Sequence, residues 1–441
     1  MSLHTYDLFL SKDSGVESTA KKSYSLFCLA SATTAVAVRI PTVAQDLAAL
    51  VSTSSSVSIE LQARWSNFNA PLPSVVVNVT SEKDVAAIIK YCTKANVPFF
   101  LGSTGVLINP VGLNADTVSK DKKQATIGGG ASIGDTIAAA DAAGHGNPMG
   151  EIGFSLDNII SLRVATADSS IVTVSRTSPP TDTAHAVTTS YPDLFWALRG
   201  AGPNSGVVIS ATVNAKPATF TDRTAWINSL FFTPDKLPRI AQAIQDLPLT
   251  QNNPSTSFLT SSGPPLNEPS VLVTGLLRKD TDETGRAAFN SIYDLGPSSN
   301  SSAITPYTNW NDANIGFCTR GDPKGPNSMV LIERYNLTKA RSVPAGNAAF
   351  NPALRDSAFA QAIVVPRYTD AVLDAEANKF GKKVQNIRSD NVDAMKNPTY
   401  ASFAHGGESL EAIYGTSLPK LRELKRKWDP KGVFGQWFPI Q

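Results

Sequence analysis

The 441-residue sequence is poor in the side chains that bind metal ions. It has three cysteines, Cys28, Cys92 and Cys318, and four histidines that are scattered and share no ligand spacing. Structural zinc sites need cysteines and histidines clustered at short spacings. The sequence therefore excludes a zinc-finger class of protein and predicts no metal site.

Charge and long apolar runs are also scarce. Charged residues make up 17% of the chain and the net charge is +2, so no strong positive field attracts nucleic acid. No apolar stretch reaches the roughly 20 residues that cross a bilayer. We predict no nucleic-acid partner and no membrane span, and the pattern leaves the oligomeric state open.

Apolar sequence, in contrast, is sufficient to fill a core. Hydrophobic residues make up 42% of the chain, and the length predicts two or three domains. Residues 25–38 are apolar and follow Lys21 and Lys22, which is typical of a secretory signal; a first helix of the mature fold is the alternative. We expect a protein of the secretory pathway or a secreted protein, with a cytoplasmic location as the alternative.

Three Asn-X-Ser/Thr triplets fit that expectation. They begin at Asn78, Asn300 and Asn336 and predict N-glycosylation sites. The triplets matter only if the chain enters the secretory pathway, where the modifying enzymes act.

The first half of the chain alternates strand and helix patterns. Residues 74–79 predict a buried strand, residues 81–95 an amphipathic helix capped by Ser81, and residues 98–101 a second strand before a turn at 102–105. Strand, helix and strand within about 30 residues indicate a βαβ unit. Further strands are predicted at 124–130, 159–165, 171–175 and 207–213, and helices at 131–143 and 191–200.

The pattern changes after residue 218. Alternating segments at 225–232, 270–277 and 329–335 predict strands of a large antiparallel sheet. Helices are predicted at 236–245, 367–380 and 418–428, and the Pro/Ser/Asn-rich residues 296–309 are predicted to form a loop.

Four passages together resemble a known family. They are residues 73–97, the pair Asp157–Asn158 with the strand that follows, the run DLFWALRGAG at 193–202, and the ending WDPKGVF at 428–434. In order and spacing they resemble the FAD-linked oxidoreductases with the PCMH-type fold, close to the fungal berberine-bridge-like enzymes.

The resemblance implies an α/β (α+β) fold with a PCMH-type FAD-binding domain and a middle domain with a large antiparallel sheet flanked by helices. We place the first domain at 1–218, the substrate domain at 219–400 and a C-terminal return to the first domain at 401–441. The resemblance also implies a disulfide between Cys28 and Cys92; two buried thiols are the alternative.

The loops that hold the flavin in this family are shortened here. The family cradles the FAD pyrophosphate in a glycine-rich loop, where backbone N–H groups face the phosphate oxygens and a His can bond to the flavin. Here that turn is Gly102-Ser103-Thr104-Gly105, which has no His. The long glycine-rich segment that can add a link through Cys is missing before Asp157.

The two shortened loops predict that FAD does not bind, because its charged pyrophosphate would lack partners. A truncated gene model is one alternative. Another is a non-covalent FAD site built from the remaining turns, namely Gly102, Ser103, Gly105, Gly128, Gly129, Gly130, Val207 and Val208.

Without a flavin no side chain accepts a hydride, whereas a shaped pocket can still promote a reaction by orienting its substrate. The resemblance therefore implies a flavin-independent cyclase, a pericyclase of the hetero-Diels–Alder type, or an isomerase acting on a polyketide- or terpenoid-like secondary metabolite. The alternatives are an FAD-dependent oxidoreductase with a non-covalent flavin and a catalytically silent binding protein.

Candidate catalytic residues carry acid, base or hydrogen-bonding groups; they are Glu333, Tyr335, His405 and Arg64. Strand alternation puts Glu333 and Tyr335 on one face, although a surface salt bridge is the alternative role for Glu333. Residues predicted to line the substrate pocket are His145, Glu151 and Arg334. Trp196 is predicted to pack a helix.

Overall fold

The computed structural model describes residues 40–60, 72–99, 105–142, 153–176, 190–215, 223–250, 255–263, 268–278, 280–310, 328–357, 360–366, 368, 370–389, 398–404, 407–435 and 437–441. Residues Ile40–Gln441 form one compact unit. The domain boundaries at residues 218 and 400 stay predictions, and the possible signal at 25–38 lies outside the described residues.

The described strands are β1 (Ser56–Ser58), β2 (Val75–Asn78), β3 (Val106–Asn109), β4 (Thr117–Val118), β5 (Gln124–Gly128), β6 (Ile159–Ala165), β7 (Ile171–Ser175), β8 (Val207–Asn214), β9 (Thr224–Phe232), β10 (Ser255–Gly263), β11 (Glu268–Arg278), β12 (Ser299–Pro306), β13 (Ser328–Tyr335) and β14 (Ala360–Val365).

The described α-helices are α1 (Ile40–Leu50), α2 (Glu82–Ala95), α3 (Ile133–Ala142), α4 (Pro192–Ala201), α5 (Leu237–Asp246), α6 (Asp282–Ala288), α7 (Asn290–Tyr293), α8 (Thr338–Arg341), α9 (Pro352–Ser357), α10 (Asp374–Ser389), α11 (Leu410–Tyr414) and α12 (Leu418–Trp428). No helix among the described residues is long and apolar enough to cross a membrane.

The first sheet has the strand order β1-β2-β3. Strands β2 and β3 run parallel, so β2, α2 and β3 form a βαβ unit, whose second strand lies later in the chain than the predicted residues 98–101. Of the strand predicted at 98–101, residues 100 and 101 lie outside the described residues, and Phe99 makes an isolated bridge to Val106, where the paired strand β3 begins. Pro98 has no N–H to donate to a ladder, and its carbonyl accepts a hydrogen bond from the Val106 amide at 2.9 Å.

The second sheet has five strands in the order β4-β5-β8-β6-β7. The predicted hairpin of β6 and β7 is confirmed. Helix α4, which contains the DLFWALRG run, buries Leu194, Phe195 and Leu198 against Leu162 and Val164 of β6. The run is therefore part of the core that joins this helix to the sheet.

The third sheet has six antiparallel strands in the order β12-β9-β11-β10-β13-β14. The loop predicted at 296–309 is wrong, because Ser299–Pro306 forms the edge strand β12. Polar, exposed residues are compatible with an edge strand, whose backbone pairs on one side, and their composition hides the strand in the sequence. The helix predicted from residue 367 begins later, at Asp374, and β10 and β14 were not predicted.

The two faces of the six-stranded sheet differ in how they are covered. On one face Trp226, Leu230 and Phe232 of β9 pack with Ile240 of α5 and Phe289, which lies between α6 and α7. We call this the helix-covered face. The residues that alternate with these along the strands lie on the opposite face, which we call the inner face. On β11 the inner residues Leu272, Thr274 and Leu276 are half-buried, whereas the residues between them are buried. The inner face is therefore accessible.

Candidate active site on the inner face of the sheet

A row of polar residues crosses the inner face from strand to strand. Strand register places Ser229, Thr274, Ser257, Glu333 and Gln361 side by side on β9, β11, β10, β13 and β14. Ser301 of β12 lies opposite Ser229 and is exposed, so the row has six backbone positions. Directly opposed positions in a sheet lie on the same face, and the six therefore form one continuous line. We call this line the polar row.

A neighbouring row on the inner face is apolar. Phe231, Leu272, Leu331 and Ile363 occupy it, two residues along their strands from the polar row, and all four are half-buried. Half-exposed apolar side chains in the middle of a sheet indicate a binding surface, because a core position would be covered. The inner face therefore pairs a polar line with an apolar strip.

The row on the other side of the polar row is partly covered. Ile227 of β9 and its neighbour Ala225 are buried against Tyr307 and Trp310, and α3 packs on this cluster. Tyr335 occupies the same row on β13, where the charge of Tyr400 contributes to raising its pKa. Both features therefore lie along one side of the polar row.

Glu333 and Tyr335 lie on the same face of β13, as the alternation in the sequence predicts, and the Glu333 carboxylate is within reach of the Tyr335 hydroxyl. Burial raises the pKa of Tyr335, and the charge of Glu333 and the hydrogen bond to it raise that pKa further. Tyr335 therefore stays protonated at neutral pH and donates to the carboxylate. A carboxylate beside a protonated hydroxyl, both partly exposed, is a pair of groups that can serve acid–base chemistry.

Arg334 does not line the pocket, contrary to the sequence prediction. Its side chain points to the helix-covered face, where Nη1 donates to the carbonyls of Ile244 and Leu247 at the end of α5. The period of a strand is two, so a residue between two inner-face residues faces the other way. Arg334 satisfies carbonyl groups at a helix C-terminus.

Tyr400 and Phe350 form the wall beside Tyr335, with ring centroids 6.1 Å apart. Phe350 also packs against Phe154 at 5.1 Å and lies 5.7 Å from the Arg355 guanidinium. These residues come from distant parts of the sequence. The wall therefore joins the segment before α9 to the segment before α11.

A buried ion pair lies behind this wall. The Arg355 guanidinium donates to both carboxylate oxygens of Asp157, at 2.7 Å and 2.5 Å, and the side chains are 3% and 4% exposed. The second buried guanidinium nearby is Arg199, whose pKa burial lowers to about 10, with further lowering from Arg176 and Arg355. A bidentate pair at this depth fixes the relative positions of the two chain segments.

The DLFWALRG run provides the docking platform for residues 346–350. Trp196 Nε1 donates to the Gly346 carbonyl at 2.9 Å, and Arg199 donates to the Asn347 carbonyl. A Cβ on Gly200 would lie 2.1 Å from the Phe350 nitrogen, so the close approach requires glycine. This structural role agrees with the packing role predicted for Trp196.

The ending WDPKGVF is also structural. Asp429 accepts hydrogen bonds from the amides of Val433 and Phe434, both at 2.8 Å. Lys425 of α12 donates to Asp429, at 2.6 Å, and to the carbonyls of Asn204 and Phe434. The motif thus fastens the C-terminal residues to the segment after α4.

The described glycine turns do not fit the FAD pyrophosphate, because their own chain already occupies the amides. Gly129 donates to the Ile209 carbonyl at 2.7 Å, and Gly130 to the Leu113 carbonyl at 3.0 Å. Gly128 donates to the Asp116 carboxylate at 3.2 Å, which puts a negative charge where a phosphate would need donors.

The other predicted cofactor residues give no better fit. A Cβ on Gly105 would lie 1.9 Å from the Pro98 carbonyl oxygen, so this glycine packs against its own chain. Val207 and Val208 lie in the ladder between β8 and β6. Gly102 and Ser103 lie outside the described residues.

Several other predicted residues also lie outside the described residues; they are Arg64, His145, Glu151, His405 and Cys28. Cys92 of α2 is fully buried and is a free cysteine among the described residues. Because Cys28 lies outside them, the disulfide between the two stays a prediction. A position at the centre of the α2 core explains why Cys92 behaves as a small apolar residue. The described residues hold no His/Cys/Asp/Glu cluster for a metal ion.

The three glycosylation triplets lie in different environments. Asn78 Nδ2 donates to Ser56 Oγ at 3.1 Å, and Asn336 Nδ2 donates to the Leu249 carbonyl at 3.1 Å. Asn300 is exposed on the edge strand β12. Glycosylation stays a prediction, and of the three acceptors Asn300 is the most open to it.

The chain is similar to known proteins over most of its length. No family model matches. An FAD-linked oxidoreductase of Penicillium roqueforti, anuG, is 26% identical over 485 aligned positions that cover 90% of this chain and 92% of the relative. The FAD-linked oxidoreductase OXR1 of Pyricularia oryzae is 27% identical over 84% of both chains.

Solved structures give the same fold. BBE-like 1 of Physcomitrella patens has a TM-score of 0.73 at 16% identity and covers 91% of this chain and 99% of its own. Berberine bridge enzyme bound to (S)-reticuline has a TM-score of 0.67 at 12% identity and covers 91% of this chain and 98% of its own. The chain is therefore similar over most of its length to fungal FAD-linked oxidoreductases. Its fold is the mixed α/β, PCMH-type fold of the berberine-bridge-like structures.

The alignment with anuG has 485 positions, more than the 441 residues of the whole chain, so it contains gaps in this chain. Some residues of this relative therefore have no counterpart here. The shortening inferred before Asp157 and after the second strand stays a prediction.

The sequence analysis did not predict several residues of the candidate site, among them Ser229, Thr274, Phe350 and Tyr400. Alternation in β9 and β11 was a usable signal for Ser229 and Thr274, because they fall between residues of the apolar core. No sequence signal brings Tyr400 and Phe350 to Tyr335, since they lie on separate segments that meet through tertiary packing. β10 and β14 were absent from the prediction, so the polar row was not visible.

Proposed function

We propose that the protein catalyses a redox-neutral cyclisation or double-bond isomerisation of a small oxygenated metabolite on the inner face, with Glu333 and Tyr335 as the reacting pair. One contrast carries the proposal. The acid–base pair is held on an accessible face, whereas the glycine amides at 128–130 bond to their own chain or to Asp116.

Glu333 is the base in this proposal. Its carboxylate takes a proton from a carbon next to a substrate carbonyl, and the C–H electron pair moves into the conjugated system. The same carboxyl group returns the proton to another carbon of that system, so the substrate gains and loses no electrons. Tyr335 stays protonated and orients the carboxylate by its hydrogen bond.

Cyclisation needs less chemistry from the side chains. A substrate folded on the inner face has its reacting carbons held together, and such orientation supplies about 7–11 kcal/mol in the best cases. The wall formed by Phe350 and Tyr400 limits how the substrate folds beside Tyr335. A hydrogen bond to a substrate carbonyl then stabilises charge that develops in the transition state.

An FAD-dependent oxidoreductase with a non-covalent flavin is the second candidate. The observation that favours it is the family, since the curated relatives are named FAD-linked oxidoreductases. One structural neighbour, the glucooligosaccharide oxidase of Acremonium strictum, has FAD linked through cysteinyl and histidyl groups. The glycine turn of this chain has Gly102 and Ser103 and no His.

Visible absorption of the purified protein separates the two candidates. We expect no stoichiometric flavin bands, and no flavin released by acid from the denatured protein. A yellow protein that bleaches on reduction would overturn the redox-neutral proposal in favour of the oxidoreductase. Reconstitution with added FAD is the control, because a site emptied during purification would then recover its absorption.

A further inference from the structure

Strand β12 forms an open edge of the six-stranded sheet. It is the last strand of that sheet, and among the described strands it pairs only with β9. Its register with β9 is unbroken over eight residues, of which six are exposed and two are half-buried. The backbone of an edge strand pairs on one side, so alternate N–H and C=O groups of β12 face outward and can pair with a further strand.

The usual protections of a sheet edge are weak in β12. Natural edge strands are short, bulged or charged, or contain proline, and these features prevent pairing with another chain. The other edge strands of the described sheets have two to six residues, whereas β12 has eight. β12 has no charged residue, and its single proline, Pro306, is its last residue. Among the described edges, β12 is therefore the one best suited to accept a further strand.

The side chains of β12 favour a partner strand of the same composition. Ser299 and Ser301 lie on the inner face, and Asn300 and Ser302 lie on the helix-covered face. Small polar residues that oppose each other in antiparallel strands stabilise the pair by roughly 0.2–1 kcal/mol each. An apolar partner would cover hydroxyl and amide groups without giving them a hydrogen bond, which is unfavourable. The composition therefore fits a second β12 better than an apolar strand.

The charges beside β12 do not oppose such a pairing. Ser302 Oγ donates to the Asp282 carboxylate at 2.7 Å and accepts from Arg286 Nη2 at 2.7 Å. Asp282 and Arg286 of α6 also form an ion pair with each other at 2.8 Å. Each copy brings one neutral pair to the edge, so two copies meet without an excess of like charge.

We propose that β12 is an interface at which a second copy of this chain pairs its own β12 in the antiparallel direction. Antiparallel pairing of a strand with its copy follows a two-fold axis and is self-complementary. Ser301 belongs to the polar row, so the polar rows of the two copies meet at this axis. A single strand edge buries less than the roughly 1,200 Å² of a stable interface, so the dimer is weak. The pairing does not depend on the reaction proposed at Glu333.

Sedimentation velocity of the full-length protein tests the pairing over about a hundredfold range of concentration, because a weak dimer forms by mass action. The Asn300 triplet lies in β12, and a glycan there would exclude a second copy, so the protein is used without N-glycans. We expect the average mass to rise from that of one copy towards that of two as the concentration increases. The mass of one copy at every concentration would overturn the proposal.

Charged variants locate the contact. Ser301→Lys combined with Ala303→Lys puts like charges on the two edges and should raise the dissociation constant of the dimer at least about tenfold. Ser301→Glu combined with Ala303→Glu should do the same. An equimolar mixture of the two variants should restore the dimer, because opposite charges then face each other. This rescue also shows that both variants are folded.

A matched control adds the same charge elsewhere. Ala138→Lys combined with Ala142→Lys lies on exposed positions of α3 and should leave the dissociation constant unchanged. A dimer that persists in both edge variants would assign the contact to another surface and overturn the proposal. A mixture of the Lys and Glu variants that forms no dimer would also overturn it.

Discussion

The glycine turns of the first half and the inner face of the six-stranded sheet differ in the partners of their polar groups. At the turns, the amides of Gly129 and Gly130 bond to carbonyls of their own chain. On the inner face, Glu333 lies beside Tyr335, and both side chains are partly exposed. Polar groups engaged by the backbone serve the fold, whereas a paired acid and base on an open face are available for chemistry.

The same contrast separates the family motifs from the proposed site. DLFWALRG docks residues 346–350, and WDPKGVF fastens the C-terminal residues through Asp429 and Lys425. Both runs therefore serve the fold. The strand that carries Glu333 contains neither run.

The largest effect is expected where the fold depends on a buried charge. Arg355→Met leaves the Asp157 carboxylate, 4% exposed, without its bidentate partner. We expect a loss of about 3–5 kcal/mol in the free energy of unfolding, measured by urea denaturation. The double variant Asp157→Asn/Arg355→Met should recover part of the loss, because no unpaired carboxylate remains. Wild-type stability in the single variant would show that the pair does not join the two segments.

Two neighbours on β13 sharpen the contrast between the faces. Glu333→Gln should lower turnover by about 10²–10⁴-fold with little change in stability, because it removes the base. Arg334→Met should cost about 1–3 kcal/mol of stability, since the carbonyls at the end of α5 lose their donor. Turnover measured at equal folded fraction checks both variants. A Glu333→Gln protein that retains full turnover would leave shape as the only catalyst.

Gly130→Ala tests whether the glycine turn serves the chain itself. A Cβ there would lie 1.7 Å from the Pro110 carbonyl oxygen, so the backbone must move. We expect a loss of about 1–3 kcal/mol in unfolding free energy. Gly134→Ala in α3 is the matched control, because its nearest atom is 3.8 Å away, and it should be neutral or stabilising by up to about 1 kcal/mol. Equal stability of the two variants would contradict the close packing at Gly130.

The smallest effect concerns the buried thiol of α2. Burial raises the pKa of Cys92 from 9.0 to about 12, so the unfolded chain ionises first. The protonated thiol therefore makes its full contribution to the free energy of unfolding below pH 9. This contribution is lost at about 1.4 kcal/mol per pH unit as the pH rises towards 12. Cys92→Ala should reduce the alkaline slope of stability, measured by urea denaturation on both sides of pH 9. An unchanged slope would mean that Cys92 does not ionise on unfolding, as a disulfide would require.

The sequence predicted elements whose signals are local. Helix α2 was predicted from Ser81 and the apolar spacing, and Ser81 accepts the Asp84 amide at the cap as expected. The alternation of β13 correctly put Glu333 and Tyr335 together. The same alternation implies that Arg334, which lies between them, faces the other side of the sheet. Applied to all three residues, it excludes Arg334 from the pocket.

The predictions that were wrong or missing concern elements that depend on residues distant in the sequence. Strand β12 is built largely from Ser, Asn and Pro, and it is a strand because β9 offers a paired edge. Tyr400 reaches Tyr335 through packing that no local pattern encodes. The shortened loops were visible in the sequence, but the use of the Gly129 and Gly130 amides by the chain itself follows from the fold.

Turnover of flavin-free protein under anaerobic conditions tests the central claim most directly, with the product mass compared with that of the substrate. The proposed chemistry predicts a product of unchanged mass, formed without oxygen or added FAD and lost in Glu333→Gln. A product lighter by two hydrogens, formed only when FAD and oxygen are supplied, would contradict it.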